Sequence, residues 1–292
     1  LFNNSGFSSF SAGVPGESEC GNVTTNTTLL TNIRSSNTCI HLIADNIIYD
    51  CSGNIIKAGA RSGIFDYAIN ISGVNRATIQ HCIISQNATG DAGGGIAISN
   101  SSLVTIFNNS VYINISGSQD AIAFLRNGAN HTNISRNNFI FNTDLDDNVI
   151  ELSIAGSSYN NIDISGNIFN MSSVSSSSQV ISSSQSDPDN INFTYNTVLF
   201  NGRKDIGGPG VGAFEIGSAS WFFSNNNIST NTSSNLFFFE SSSFGHRFLN
   251  NNLTTSGGFI IINTGAVSLD SLFTYNNSFG FINWTNKSSG GF

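Results

Sequence analysis

One short pattern returns along the chain at nearly constant spacing, and it limits the folds open to the sequence. An apolar residue is followed three positions later by asparagine and, two further on, by a second apolar residue. The pattern reads IFNNSV at 106–111, ISRNNF at 134–139, ISGNIF at 164–169, FTYNTV at 193–198, FSNNNI at 223–228 and FLNNNL at 248–253. Its asparagines are Asn109, Asn137, Asn167, Asn196, Asn226 and Asn251, and a looser copy, FTYNNS at 273–278, adds Asn276. IQHCII at 79–84 puts Cys82 in the same slot, and from there the slots are 27, 28, 30, 29, 30, 25 and 25 residues apart.

A second series runs in step with the first: YAINI at 67–71, GIAIS at 95–99, AIAFL at 121–125, VIELS at 149–153, AFEIG at 213–217, LFFFE at 236–240 and FIIIN at 259–263, with QVISS at 179–183 as a weaker member. Gly, Ser and Asn clusters separate the two series and read as turns. Short strands at a fixed period of this length are a solenoid signature, because one coil cannot bury its apolar face alone. The expected fold is all-β, a right-handed parallel β-helix of about nine coils and roughly 40–45 Å long at ~4.8 Å per coil. A leucine-rich repeat, the competing solenoid, needs regularly spaced leucines and often helices; this chain has neither. If coils stack in register, each slot asparagine lies over the one below, donating to one neighbour and accepting from the next. Asparagine also tolerates the left-handed backbone of a sharp corner.

Composition agrees with a folded β protein of unusual polarity. Only 10% of residues are charged, while 39% are hydrophobic and 24 are Phe, which argues against disorder. The net charge of −8 with ten Lys and Arg, and no basic run, makes nucleic acid an unsuitable partner. No apolar run reaches the ~18 residues of a membrane span. The start at Leu1 is read as a processed N-terminus after loss of a signal peptide.

The stretch 20–56, CGNVTTNTTLLTNI followed by NTCIHLIADNIIYDCSGNII, resembles the opening of secreted β-helix repeat proteins common among archaea and some bacteria, in the pectin-lyase-like family. The family's turn, Asp-Asn-apolar-apolar-x-Asp-Cys-x-Gly, is matched at Asp45–Gly53. The resemblance covers about 20–285 and implies an N-terminal cap strand. It divides the chain into an extension at 1–19, a cap and first coil at 20–56, and coils at 57–292. The family is functionally diverse, so the likeness carries little about activity.

Cysteines fall at 20, 39, 51 and 82 without the spacing of a zinc site. Two disulfides pinning one end suit an exported protein. Three pairings are permitted; Cys20–Cys39 with Cys51–Cys82 is favoured because 51 and 82 fall on adjacent coils near one corner, and buried free thiols are the alternative. Asn-x-Ser/Thr occurs 18 times, at Asn3, Asn22, Asn26, Asn70, Asn87, Asn100, Asn108, Asn114, Asn130, Asn133, Asn170, Asn192, Asn227, Asn231, Asn252, Asn276, Asn283 and Asn286. With 43 Asn and 67 Ser plus Thr in 292 residues, chance gives about ten. The excess points to N-linked glycans, with sugar supplying solubility that charge does not; no other cofactor is expected. A ladder asparagine that points inward cannot carry one.

The resemblance implies a test for catalysis. Hydrolases of this fold gather aspartates on one strand face with Gly-His-Gly and Arg-x-Lys elements, because a glycosidic bond needs one carboxyl to protonate the leaving oxygen and another to activate water. NTDLDD at 142–147 matches the first element superficially, but FGHR at 244–247 lies about four coils away. Lyases of the fold use calcium aspartates with an Arg or Lys base, and Lys57, Lys204 and Lys287 have no partnered acidic strand. No catalytic set is complete. Asp144, Asp146 and Asp147 form a weak calcium candidate, read more simply as a solvated loop. His41, His81, His131 and His246 read as surface or turn residues, and the glycine runs at 93–95 and 207–212 as turns. The apolar tail at 1–17 and the absence of a charged or helical cap after the last coil suggest head-to-tail self-association. The sequence therefore reads first as a non-catalytic, N-glycosylated extracellular structural protein, a subunit of a cell-surface filament or layer. The alternative is a carbohydrate-active enzyme or carbohydrate-binding β-helix acting on extracellular polysaccharide. A phage-tail-like receptor reader comes third, with the sequons and cysteines against it.

Overall fold

In the computed structural model the chain winds as a parallel β-helix. The structure describes residues 20–58, 66–86, 94–115, 120–124, 129–143, 148–152, 160–173, 178–183, 189–202, 212–217, 221–230, 235–239, 246–255, 261–263, 273–275, 278–279 and 285–286. Three long sheets of eleven, ten and ten strands run along it, each strand parallel to the one a coil before. That makes about ten coils, against about nine expected.

The first sheet takes Gly21–Val23, Ile40–Leu42, Tyr67–Ser72, Gly94–Ser99, Ile122–Phe124, Asn148–Glu151, Gln179–Ser183, Gly212–Ile216, Asn235–Phe239, Ile261–Asn263 and Thr285–Asn286. The second takes Thr27–Thr28, Ile48–Asp50, Thr78–Gln80, Thr105–Phe107, Asn133–Ser135, Asn160–Ser165, Asp189–Thr194, Trp221–Ser224, Arg247–Leu249 and Phe273–Tyr275. The third takes Ile33–Ser35, Ile55–Ala58, Ile83–Gln86, Ser110–Ile115, Asn138–Thr143, Ile168–Ser173, Thr197–Gly202, Asn227–Thr230, Asn252–Thr255 and Ser278–Phe279. The single asparagine pattern of the sequence thus spans two strands: its first apolar residue is the next to last of a second-sheet strand, its last is the second of a third-sheet strand, and the asparagine sits at the corner. Residues 20–56 supply the first two coils, in register with the rest.

Registration gives the core its columns. On the first sheet Ile40, Ile69, Ile96, Ile122, Ile150, Ile181, Phe214 and Phe237 lie one over another. On the second Tyr49, Ile79, Ile106, Ile134, Ile164, Phe193, Phe223 and Phe248 do the same. All are buried. β-branched residues fill the lower coils and Phe the upper, where Phe139 and Phe169 stack at 5.0 Å and Phe223 and Phe248 at 4.8 Å. Like side chains in adjacent rungs reproduce the same contact at every step, so a sequence that repeats its residue types repeats its packing.

From the third coil on, the corner between second and third sheets has two residues. The first of them is left-handed in coil after coil: His81, Asn108, Arg136, Tyr195, Asn225 and Asn250 have φ of 53–57°, and Gly166 has 65°. The second is the slot residue. Left-handed backbone therefore falls one position before the asparagine rather than on it, and the slot asparagine keeps ordinary backbone. Its side chain is free for a different task. Asn109, Asn137, Asn167, Asn196, Asn226 and Asn251 are all buried, and the Nδ2 of each of the first five donates to the Oδ1 of the next, at 3.0, 3.0, 3.1, 3.3 and 2.8 Å. Each Nδ2 also donates to a main-chain carbonyl of the coil before, from Ile79 for Asn109 to Phe223 for Asn251. Each Oδ1 accepts a second bond from the backbone N–H of the preceding slot, beginning with Cys82. Asn276 lies outside the described residues.

Disulfides join Cys20 to Cys39 and Cys51 to Cys82. The second ties two consecutive coils at the foot of the asparagine column. His246 departs from the surface position expected of it. It is 2% exposed because it continues an inward column that runs Ile191, Trp221, His246 at the start of the second sheet. Its Nδ1 accepts the backbone N–H of Trp221 at 3.4 Å, and burial pushes its pKa down to about 4. A group neutral in the fold but protonated in the unfolded chain stabilises fully above the unfolded pKa of about 6.5, and loses that contribution as pH falls towards 4. The expected loss is about 3 kcal/mol over that window. Urea midpoints measured from pH 7 to pH 4 check it, and His246→Asn, which keeps an acceptor for Trp221, should flatten the curve.

Candidate functional site

The outer face of the first sheet departs from the rest of the rod. On the other two sheets most of the described outward side chains are exposed or half-exposed; here several are buried. Ala97 is 0% exposed, Ser182 4%, Gln179 4% and Tyr67 6%. The outward column reads Ala97, Ala123, Glu151, Ser182, Glu215 on successive coils. Beside it run Tyr67 and Gly94, paired across one rung, and Asn148 and Gln179, paired across another.

Polar side chains here hold one another. Asn148 donates through Nδ2 to Glu151 Oε2 at 3.0 Å and through its backbone N–H to Asp120 Oδ1 at 3.2 Å. The Asp120 and Glu151 carboxyls are hydrogen-bonded to each other. Gln179 Nε2 donates to Glu215 Oε2 at 2.8 Å, and Ser182 Oγ to the same oxygen at 3.4 Å. Burial pushes the pKa of Glu151 up, and the charge of Glu215 adds to the rise against the hydrogen bonds from Asn148 and Asp120. Burial, then the charges of Asp120 and Glu151, raise Tyr67 as well. The sign for stability is opposite to that of His246: a carboxyl whose folded pKa is raised contributes most below its unfolded pKa and loses ground as pH rises. Chemically, Glu151 is a carboxyl that keeps its proton above the usual range, two coils from a second carboxylate. At ~4.8 Å per rung the Glu151 and Glu215 backbones are roughly 9–10 Å apart.

Gly94 and Gly95, expected in a turn, belong to the strand Gly94–Ser99. A Cβ on Gly94 would come within 2.5 Å of the Asp120 carbonyl and 2.6 Å of the Tyr67 ring, and one on Gly95 would collide with the Ala121 carbonyl. Gly94 leaves room for the Tyr67 ring to lie across the strand, and Gly95 for the close approach of the next coil's backbone.

None of Asp120, Glu151 and Glu215 was singled out in the sequence, although VIELS and AFEIG contain two of them. Aligning the first-sheet strands on their apolar positions puts Glu151, Ser182 and Glu215 in one slot, and that was the available signal. Asp144, Asp146 and Asp147 lie outside the described residues. Among the described residues no group of three His, Cys, Asp or Glu side chains is placed to hold a metal. His81 faces Asp50, Nδ1 to Oδ1 at 3.1 Å, on the outside of the second corner. Burial, the largest single influence, pushes the Asp50 carboxyl up, but the bonds from Gln80 and Ser52 and the His81 ring together outweigh it and hold the pKa below the ordinary value. His131 lies at the start of the second sheet in left-handed backbone, beside Asn161. His81, His131 and His246 are on separate coils.

Sequon asparagines Asn22, Asn26, Asn100, Asn108, Asn114, Asn133, Asn170, Asn227 and Asn252 are exposed, and Asn70, Asn130 and Asn192 half-exposed. Asn286 lies in the strand Thr285–Asn286. Asn3, Asn87, Asn231, Asn276 and Asn283 lie outside the described residues, as does the tail at 1–19.

The arrangement defines a parallel β-helix with an anionic, amide-lined outer face. Solved structures similar to it are tailspike proteins of E. coli bacteriophage HK620. A Glu→Gln variant in complex with pentasaccharide aligns with TM-score 0.54 and 10% identity, covering 89% of this chain and 56% of that one. An Asp→Ala variant in complex with pentasaccharide gives 0.52 and 10%, with 89% and 55% covered. An Asp→Asn variant, also in complex with pentasaccharide, gives 0.51 and 11%, with the same coverage. The chain spans about half the length of these tailspikes, and at such identity the likeness is one of fold. No protein-family model and no curated protein matches the chain.

Proposed function

We propose that the chain is a carbohydrate-binding or carbohydrate-active β-helix that holds an extracellular polysaccharide against the outer face of its first sheet. The observation that carries this reading is the column of Glu151, Ser182 and Glu215 with Asp120, Asn148 and Gln179 beside it. Carboxylates, amides and hydroxyls held by one another match the hydroxyl-rich edge of a sugar. The three tailspike neighbours, each solved with a pentasaccharide, support the same reading. The eleven first-sheet strands contain no Lys or Arg. Strands that carry carboxylates and no cation disfavour polyuronates, so the saccharide this reading expects is neutral or carries amino groups. Should a bond be cleaved, Glu151 is the proton donor and Glu215 the carboxylate two coils on.

Two disulfides support an extracellular setting. Among the described residues no helix is long and apolar enough to cross a membrane. The filament reading of the sequence depends on chain ends outside the described residues, whereas the carboxylate face is in view; the carbohydrate reading is therefore preferred.

A glycan array spanning neutral, amino and uronic acid oligosaccharides, followed by calorimetric titration, tests it. Neutral or amino oligosaccharides should bind, and Glu215→Gln should weaken binding about tenfold, or ~1.4 kcal/mol. Glu151→Gln imitates the protonated carboxyl, so it should leave stability nearly unchanged and abolish any cleavage seen as new reducing ends. A silent array, or equal binding by wild type and Glu215→Gln, would overturn the reading.

A further inference from the structure

The third sheet presents a surface of another kind. Its six strands from Ser110–Ile115 to Asn252–Thr255 contain no charged residue. Three of the large hydrophobic side chains left in water lie on them: Tyr112 at 37% exposure, Ile168 at 52% and Leu199 at 37%. Charge-free sheet faces that expose apolar side chains invite association. Each of the three sits next to an Asn-x-Ser/Thr asparagine. Alternate residues of a strand share a face, so Asn114 is the outward neighbour of Tyr112 and Asn170 that of Ile168. Across the rungs Asn170 pairs with Ile140 on one side and Leu199 on the other. Asn114 and Asn170 are both exposed.

We propose that Asn114 and Asn170 carry N-linked glycans whose first sugars lie over Tyr112, Ile140, Ile168 and Leu199. The donor is an oligosaccharide carried on a lipid pyrophosphate. Nδ2 bonds to its anomeric carbon, the bond from that carbon to the phosphate oxygen breaks, the lipid pyrophosphate leaves, and the amide gives up one of its two protons. The remaining N–H and the carbonyl keep their hydrogen-bonding capacity. The C–H face of a pyranose covers the apolar patch, and its hydroxyls give this face the hydration that Lys and Glu supply on other proteins. The sugar coat on the third sheet leaves the carboxylate face of the first sheet bare. The proposal does not rest on what that face binds, and its failure would leave the saccharide reading intact.

The test uses the full chain secreted from a eukaryotic cell line. Enzymatic release of the sugar in oxygen-18 water marks each formerly occupied asparagine as labelled aspartate, read by peptide mass. Asn114 and Asn170 should be labelled in most molecules. Release from the already folded protein should raise the fluorescence of a hydrophobic dye several-fold and shift light scattering towards larger species. Ile168→Thr combined with Leu199→Thr should suppress both changes. Asn252→Gln, where no exposed apolar neighbour stands among the described residues, should leave dye binding as it was. Unlabelled Asn114 and Asn170 in the folded, secreted chain overturn the proposal. So does sugar release that changes neither dye binding nor size.

Discussion

Asn167→Ala should lower the unfolding free energy by about 4 kcal/mol, a large fraction of what a domain possesses. Asn167 sits in the middle of the amide column. Its Oδ1 accepts from the backbone and the side chain of Asn137, and its Nδ2 donates to Ile134 O and Asn196 Oδ1. Alanine removes all four bonds in a place with no water, since Asn137, Asn167 and Asn196 are each 1% exposed. Asn137 still donates to Ile106, and Asn196 Oδ1 still accepts the backbone N–H of residue 167, so the main orphans are the N–H of Asn137 and the carbonyl of Ile134. Each buried orphan costs about 1–3 kcal/mol. Asn167→Asp separates hydrogen bonding from volume: it keeps the shape but sets an oxygen against the Ile134 carbonyl, and it should do at least as much damage near neutral pH. Urea unfolding followed by far-ultraviolet circular dichroism measures both. A loss under about 1 kcal/mol for Asn167→Ala would mean the column is ornament rather than support.

Phe223→Ala is the second large effect, again about 4 kcal/mol, the middle of the range for removing a buried aromatic ring. Phe223 is the hub of the upper core. Its ring is 4.8 Å from Phe248, 5.1 Å from Phe237, 5.6 Å from Phe193 and Trp221, and 5.8 Å from Phe214. The first and second sheets meet in that cluster, so one truncation opens a cavity lined from both. Phe223→Leu, which refills much of the space, should recover about half of the loss. Emission from Trp221, stacked on Phe223, should shift to the red in the alanine variant before global unfolding. If Phe223→Ala cost no more than Phe223→Leu, the rings would be packing independently of one another.

The column and the core were legible because a solenoid asks the same question once per coil. Asn109 through Asn251 answer with one residue type, and the apolar positions answer with β-branched or aromatic ones. Three things were not legible. The left-handed position was assigned to asparagine in general, but His81, Arg136 and Tyr195 occupy it too, so residue type alone does not mark it. His246 looked like a loop residue because its column partners Ile191 and Trp221 are 55 and 25 residues away. The carboxylates escaped notice for a related reason. Asp120 and Glu151 are 31 residues apart and Glu215 a further 64, so no local motif joins them. Only register brings them together, and register has to be fixed first.

Corner length differs around the rod in a way that separates what can change from what cannot. Between the second and third sheets the linker is two residues at every coil from Gln80 to Asn252, whereas from the third sheet back to the first it runs from four residues, 144–147, to nine, 203–211. An amide chain that must advance by one rung per turn acts as a ratchet: insertion at its own corner would throw every later tooth out of phase. Additions at the other corner leave the pitch untouched, so the rim beside the acidic face is where new specificity can be written without rewinding the coil.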